Sequence, residues 1–233
     1  MSLIVEVRAN TRGVGQNDLD AFLRWWADEH QPEFLRSPGV RKAWLLERVD
    51  VDGQIGEQPQ RYCALYEVDT VQSFRRALDQ GPPWGEWQKY VDDWLVDWTR
   101  TYRRVSSKLG SASLQPGDHV SLVGAEVQLA TADEHRAFAH WYDGKHIPEL
   151  LGHSGVLGAM RTVLHRTPDE LGTPAFGYWT LYVQSDPSAL IRARAERFAR
   201  SVPAWDGTWA PHVTNWSLSA HRVLSHCTES GES

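Results

Sequence analysis

The sequence predicts an α+β fold built from two tandem βαββαβ units, and three observations lead there. The first is an internal repeat: a shift of 116 positions lays Ala21, Phe22, Trp25, His30, Pro32, Glu33, Leu35, Gly39, Val40 and Ala43 on Ala137, Phe138, Trp141, His146, Pro148, Glu149, Leu151, Gly155, Val156 and Ala159. Ten identities in 23 residues without a gap mark a duplication. The same shift pairs Tyr62, Leu65 and Tyr66 with Tyr178, Leu181 and Tyr182, and a shift of 118 pairs Trp98, Arg104 and Val105 with Trp216, Arg222 and Val223. The second observation is that each copy, read separately, gives the same succession of periodicities. The third is length: 233 residues divide into two units of ordinary domain size, each long enough to bury a core.

The elements follow in order. Leu3–Arg8 and Val120–Leu129 alternate as strands: Val5 and Val7, or Val123, Ala125 and Val127, point one way, and Glu6 or Glu126 the other. Asp18–Phe34 and Ala132–Leu151 carry helical spacing, with Asp18 and Thr131 or Asp133 as N-caps. Gly39 and Gly155 restart the chain as strands, Val40–Val49 and Val156–His165. Turn-rich loops lead to third strands at Arg61–Val68 and Phe176–Val183. Second helices begin near Thr70 and Asp186, where Pro187 suits a first turn. Past Pro82-Pro83-Trp84 and Pro203-Ala204-Trp205 come final strands, Leu95–Val105 and Val213–Val223.

The order βαββαβ is the ferredoxin-like arrangement, a four-stranded antiparallel sheet with both helices on one face. Its other face is too apolar to stay wet, and the second copy covers it, so the chain closes an intramolecular, pseudo-dimeric α/β barrel. The expected organisation is a first ferredoxin-like domain over 1–107, a linker over 108–118, a second over 119–224 and a disordered tail over 225–233 containing Cys227. Larger homo-oligomers through outer surfaces stay open.

Composition narrows the function classes. Thirty acidic against 24 basic residues give a net charge of −6, and no basic run exceeds Arg103-Arg104, which argues against a nucleic-acid partner. Glu6 and Arg8 interrupt the N-terminus where a signal peptide needs an apolar stretch, and no 18 apolar residues run together. A cytoplasmic location and no membrane partner are expected. Two cysteines, Cys63 and Cys227, build no disulfide framework. There is no His-Glu-x-x-His for a metal, no Gly-x-Gly-x-x-Gly or Gly-Lys-Ser/Thr for NAD or ATP, and no Gly-x-Ser-x-Gly elbow. Twelve Trp, seven Tyr and six Phe fit a heavy core or an aromatic-lined cavity.

The motif Phe22-x-x-Trp25-x-x-x-x-His30-x-Pro32, ending at Pro38-Gly39-Val40, and its echo Phe138-x-x-Trp141-x-x-x-x-His146-x-Pro148 with Gly155-Val156, resemble the EthD-like family of the dimeric α/β-barrel superfamily. The resemblance covers nearly all the chain apart from linker and tail, as two fused copies of a domain that normally pairs as a homodimer. It implies small-molecule chemistry of one of several kinds. Relatives in the superfamily include cofactor-free monooxygenases, polyketide cyclases, muconolactone isomerases, and haem enzymes such as dye-decolourising peroxidases and aldoxime dehydratases.

His30 and His146 are the leading catalytic candidates. Each is expected near the end of its first helix, where unpaired carbonyls favour a cationic imidazole and a pKa near working pH. Against this stands a capping role inherited by both copies. Glu6 and Glu126 are expected to face the lumen as bases with raised pKa, or else to pair with a lumenal arginine such as Arg161. Tyr62, Tyr66, Tyr178, Tyr182 and Trp98, with Trp94 and Tyr102, either pack under the helices or line the cavity as substrate-binding residues. Trp25 and Trp141 read as core.

At the lumen-prone positions the copies differ, Trp44 against Met160, Leu45 against Arg161 and Cys63 against Trp179, so one working half is expected. The sequence favours a cofactor-independent lyase, isomerase, cyclase or monooxygenase acting on a hydrophobic, aromatic, polyketide-like or terpenoid molecule, with His30 or His146 moving a proton next to a carbonyl. Haem ligated by one of these histidines, or by His165, His212 or His221, is the second reading; a non-enzymatic binding protein is the third.

Overall fold

The computed structural model describes residues 2–56, 60–80, 94–111, 113–172, 176–203 and 205–228. The expected turn at Pro82-Pro83-Trp84 and the last five residues of the expected tail lie outside the described residues. The first repeat contributes β1 (Leu3–Thr11), α1 (Gln16–Trp25), a π-helical turn (Trp26–His30), α2 (Gln31–Leu35), β2 (Val40–Val49), β3 (Tyr62–Val68), α3 (Val71–Gln80) and β4 (Leu95–Gly110). The second contributes β5 (His119–Val127), α4 (Ala132–Trp141), a second π-helical turn (Tyr142–His146), α5 (Ile147–Leu151), β6 (Val156–Leu164), β7 (Tyr178–Gln184), α6 (Ala189–Ala199) and β8 (Val213–Thr228).

The expected order is present in both copies. Thr131 caps α4 with a full capping box, its hydroxyl accepting from the Glu134 amide, whereas α1 starts after Gly15 with no side-chain cap and Asp18 sits inside the first turn. Gly39 and Gly155 make the return to the sheet at φ +87°, a left-handed conformation that glycine adopts without a steric penalty.

All eight strands pair antiparallel in one closed barrel, β1-β3-β2-β8-β5-β7-β6-β4, with β4 returning to β1. Two seams join the repeats. The far end of β4 pairs with β6 from Arg103↔Leu164 to Gly110↔Gly158, and the far end of β8 pairs with β2 from Ala220↔Val49 to Thr228↔Lys42. This corrects the expected linker and tail: β4 runs through Ser106 to Gly110, and β8 carries Cys227 to a register position opposite Ala43. The seam is built from backbone hydrogen bonds, which Ser and Gly supply as well as any residue, so linker-like composition hides a strand.

Both faces of the sheet are dry. The outer face packs Val5, Ala43, Leu45, Tyr66 and Tyr102 under the first repeat's helices, and Ala125, Ala159, Tyr182 and Leu218 under the second's. The lumen is a third core of Ile4, Trp44, Leu46, Cys63, Leu65, Leu122, Met160, Trp179, Leu181 and Val223. An eight-stranded barrel is just wide enough for side chains to fill it, and here they do.

Residues 1–110 expressed alone would leave β2 and β4 without their seam partners and expose the lumenal face. We expect self-pairing or aggregation in sedimentation velocity; a folded monomeric half would contradict the dependence of each repeat on the other.

Candidate functional site: two clefts outside the barrel wall

Neither histidine lies at a helix end. α1 passes into a π-helical turn that ends on His30, and helix continues to Leu35; the second copy does the same through His146 to Leu151. The Gln31 amide donates to the Trp26 carbonyl, and the Ile147 amide to that of Tyr142, each across five residues. Pro32 and Pro148 offer no N–H, so an uninterrupted α-helix would strand a carbonyl four residues earlier, and the wider turn relieves this. It also turns each imidazole toward the sheet. The expected exposed carbonyls are absent there, and the expected pKa near working pH is corrected: burial lowers His30 to about 4, and burial with the Arg197 charge lowers His146 to about 3.

Each histidine borders a cleft between its helices and the outer face of the barrel. In the second repeat, Val123, Leu150, Tyr182, Leu190, Trp205, Trp216, Leu218 and His146 line a space of about 80 Å³, with Arg194, Arg197, Phe198 and Val202 also on its walls. In the first repeat, Val7, Trp26, His30, Phe34, Tyr66, Phe74, Leu78, Trp98 and Leu171 line about 150 Å³, with Thr99 and Arg100 also on its walls. The shift of 116 maps Val7, His30, Phe34, Tyr66, Phe74 and Leu78 onto Val123, His146, Leu150, Tyr182, Leu190 and Arg194, so the clefts are duplicates.

The duplicates have diverged in the residues that surround their polar groups. In the first, Gln31 is fully buried and accepts from the Ser225 hydroxyl at 2.6 Å. Burial pushes the Tyr66 hydroxyl up to about 12. In the second, Ile147 stands in place of Gln31. There the His146 Nδ1, Tyr182 hydroxyl and Trp205 Nε1 are buried with no hydrogen-bond partner among the described residues. Burial raises the Tyr182 hydroxyl pKa well above the usual phenol. The His146 ring is stacked on Trp205 at 5.7 Å and 9°, and covered by Trp141 at 5.1 Å. Trp25 lies likewise 5.1 Å from His30. Trp25 and Trp141, read as core, are half-buried covers of the imidazoles.

The other expected site residues fall elsewhere. Tyr62 and Tyr178 face the helices but line neither cleft; Tyr178 meets His135 Nδ1 at 2.5 Å. Arg161 is on the helix face rather than in the lumen, its guanidinium paired twice with Asp143 at 2.7 Å and lying over the Tyr142 ring. Glu126 is exposed and accepts from the Gly177 amide at 2.8 Å. The repeat counterpart of Glu6 is the lumenal Leu122, not Glu126.

Glu6 does face the lumen, but as an ion-pair anchor. It accepts from Arg8, from Arg103 Nε at 2.6 Å and from the Thr101 hydroxyl at 3.1 Å. Burial alone would raise its pKa; the two guanidiniums outweigh this and hold it at about 2, which corrects the expected base. Both cations lie over the Trp179 ring, at 4.7 and 5.1 Å. Sequence reasoning missed Trp205, Arg194, Arg197 and Phe198. Aligning Leu78 with Arg194 could have revealed that arginine; Trp205 sits in a loop that no periodicity points to.

No protein-family profile and no curated protein sequence matches the chain. Solved structures do. A monooxygenase candidate from Lactobacillus acidophilus NCFM matches at TM-score 0.61 and 11% identity over 98% of this chain and 97% of its own. An anthrone oxidase-like protein matches at 0.63 and 10% over 100% and 94%, and the encapsulated DyP-type peroxidase from Mycobacterium smegmatis at 0.57 and 9% over 95% and 93%. The fold these structures share with the chain is a dimeric α/β-barrel-like one. Both repeats of this single-chain barrel carry a cleft, and the two differ in lining. Among the described residues no helix is long and apolar enough to cross a membrane, and no cluster of three His, Cys, Asp or Glu could hold a metal ion.

Two predictions follow from the charges. Glu6→Gln leaves two buried guanidiniums without a carboxylate and should cost about 3–5 kcal/mol in urea unfolding, while Glu126→Gln should be close to neutral. His30 and His146 are neutral when folded but take up protons near pH 6.5 when unfolded, so their stabilisation is complete above 6.5 and is lost as pH falls toward 4 and 3. Glu6, lowered from 4.5 to about 2, adds a loss below 4.5. The melting temperature should therefore fall between pH 6.5 and 4, and more shallowly in the double His→Gln variant.

Proposed function

We propose that the second-repeat cleft binds a small, apolar, aromatic carbonyl compound and promotes cofactor-independent proton transfer from the carbon that the carbonyl acidifies. The observation that carries this is the convergence of three buried, unpartnered polar groups on one apolar cleft: His146 Nδ1, the Tyr182 hydroxyl and Trp205 Nε1. A buried polar group without a partner costs of order 1–3 kcal/mol, and a ligand oxygen would remove that cost. Neutral His146 accepts the carbon-bound proton; Tyr182, kept protonated by its raised pKa, and the Trp205 N–H donate to the oxygen that becomes anionic. The developing oxyanion raises the basicity of an imidazole that is weakly basic in the empty cleft.

The likeness to monooxygenase-type neighbours suits a step in which molecular oxygen captures the resulting carbanion. With anthrone, the overall balance is anthrone plus O₂ giving anthraquinone plus water. Entry of such a ring requires the segment from Phe198, 81% exposed, to Val202 to swing aside. The EthD-like assignment rests on the helix motif and agrees with this reading without adding a substrate.

Haem has less support. His146 lies ring against ring with Trp205 at 5.7 Å, which leaves that face of the imidazole covered.

Anthrone should quench tryptophan fluorescence and be oxidised with oxygen uptake. His146→Gln should lower that turnover roughly 10²–10⁴-fold, Tyr182→Phe should also slow it, and His30→Gln should leave it near wild type. Equal loss from His30→Gln and His146→Gln, or neither quenching nor turnover, overturns the reading.

A further inference from the structure

The second-repeat cleft carries a cation at a wall position that is apolar in its duplicate, whose own arginine, Arg100, donates from Nε to the Asp169 carbonyl at 2.9 Å. Arg194 on α6 corresponds by the 116-residue shift to Leu78 on α3, and each lines its own cleft. The helices are in equivalent register, because Ser73 and Ala189 both lie against the glycine that reopens the chain, Gly39 and Gly155. The difference is therefore one of side chain and not of alignment.

Arg194 is half-buried, its guanidinium 5.1 Å from the centre of the Trp216 ring. Among the described residues it has no carboxylate or hydrogen-bond partner. Its neighbour Arg197 is occupied, donating to Glu149 at 3.0 Å and to the Pro203 carbonyl at 3.3 Å. No acidic side chain lines the cleft among the described residues. An arginine lying over a tryptophan is often only a snorkelling surface side chain. Here two observations weigh against that. The duplicate cleft manages the same position with Leu78, and the ring that holds Arg194 is itself a wall of the cleft.

We propose that the ligand of this cleft is an aromatic monocarboxylate, its apolar ring held between Trp205, Leu190 and Trp216 and its carboxylate taken by the free N–H fork of Arg194. Guanidinium and carboxylate match as a bidentate pair, and Trp216 holds the planar fork in place. Arg194 thereby sets the specificity of this cleft for anions. This rests on the binding half of the reading above and adds the substrate's charge.

The test is equilibrium binding of two probes of one shape, 2-naphthoate and 2-naphthamide, followed by tryptophan fluorescence in the intact chain. Wild type should prefer the naphthoate by about tenfold or more, with the preference shrinking as salt is raised. Arg194→Leu should lose the preference while still binding the amide, Arg194→Lys should keep part of it, and Leu78→Ala should leave it intact. Equal affinity for both probes in wild type, or an unchanged preference in Arg194→Leu with an unchanged melting temperature, overturns the carboxylate and leaves the cleft standing as a site. Binding of neither probe overturns both.

Discussion

Closure of the barrel by backbone pairing between the repeats is the constraint on which the rest depends. Two sheets of four strands each present a second apolar face, and neither could be stable in water with that face uncovered. β4 and β8 are both 16 residues long because each must serve two sheets, its own repeat's at one end and its partner's at the other. Once the seams are made, the lumen closes around a packed core, and a buried charge cluster becomes affordable only because Arg8, Arg103 and Glu6 satisfy one another inside it.

Filling the lumen moves the chemistry outside. The spaces bordered by histidine lie between the barrel wall and the helices, where the π-helical turns lift His30 and His146 over the sheet. Duplication then supplies an internal control. The first cleft has Gln31, bonded to Ser225, and Leu78, whereas the second has Ile147 and Arg194 at the matching positions. Those exchanges are what point the proposed function to one half.

The fold was legible in unusual detail because every element was printed twice, and a pattern too weak in one copy was read from the other. The candidate histidines were legible for the same reason. Their state was not, since a place near the helix end promised unpaired carbonyls, and only the π-helical turn shows each imidazole directed toward the sheet and buried. Glu6 and Arg161 show a second limit: their partners, Arg103 and Asp143, are 97 and 18 residues away, and whether a carboxylate is a base or an ion-pair anchor depends on which cation folding brings beside it.

By itself the sequence determined the duplication, the βαββαβ order, the pairing of the two copies and the residue types available at matched positions, because all of these are written in spacing along the chain. Only the tertiary structure decided which sheet face is the lumen. Alternation separates a strand's two faces but does not label them, and here helices cover one face and the partner sheet the other, so both read as apolar. That labelling put Trp44, Met160, Cys63 and Trp179 inside, sent Arg161 and the tyrosines outside, and moved the candidate site from the lumen to the clefts.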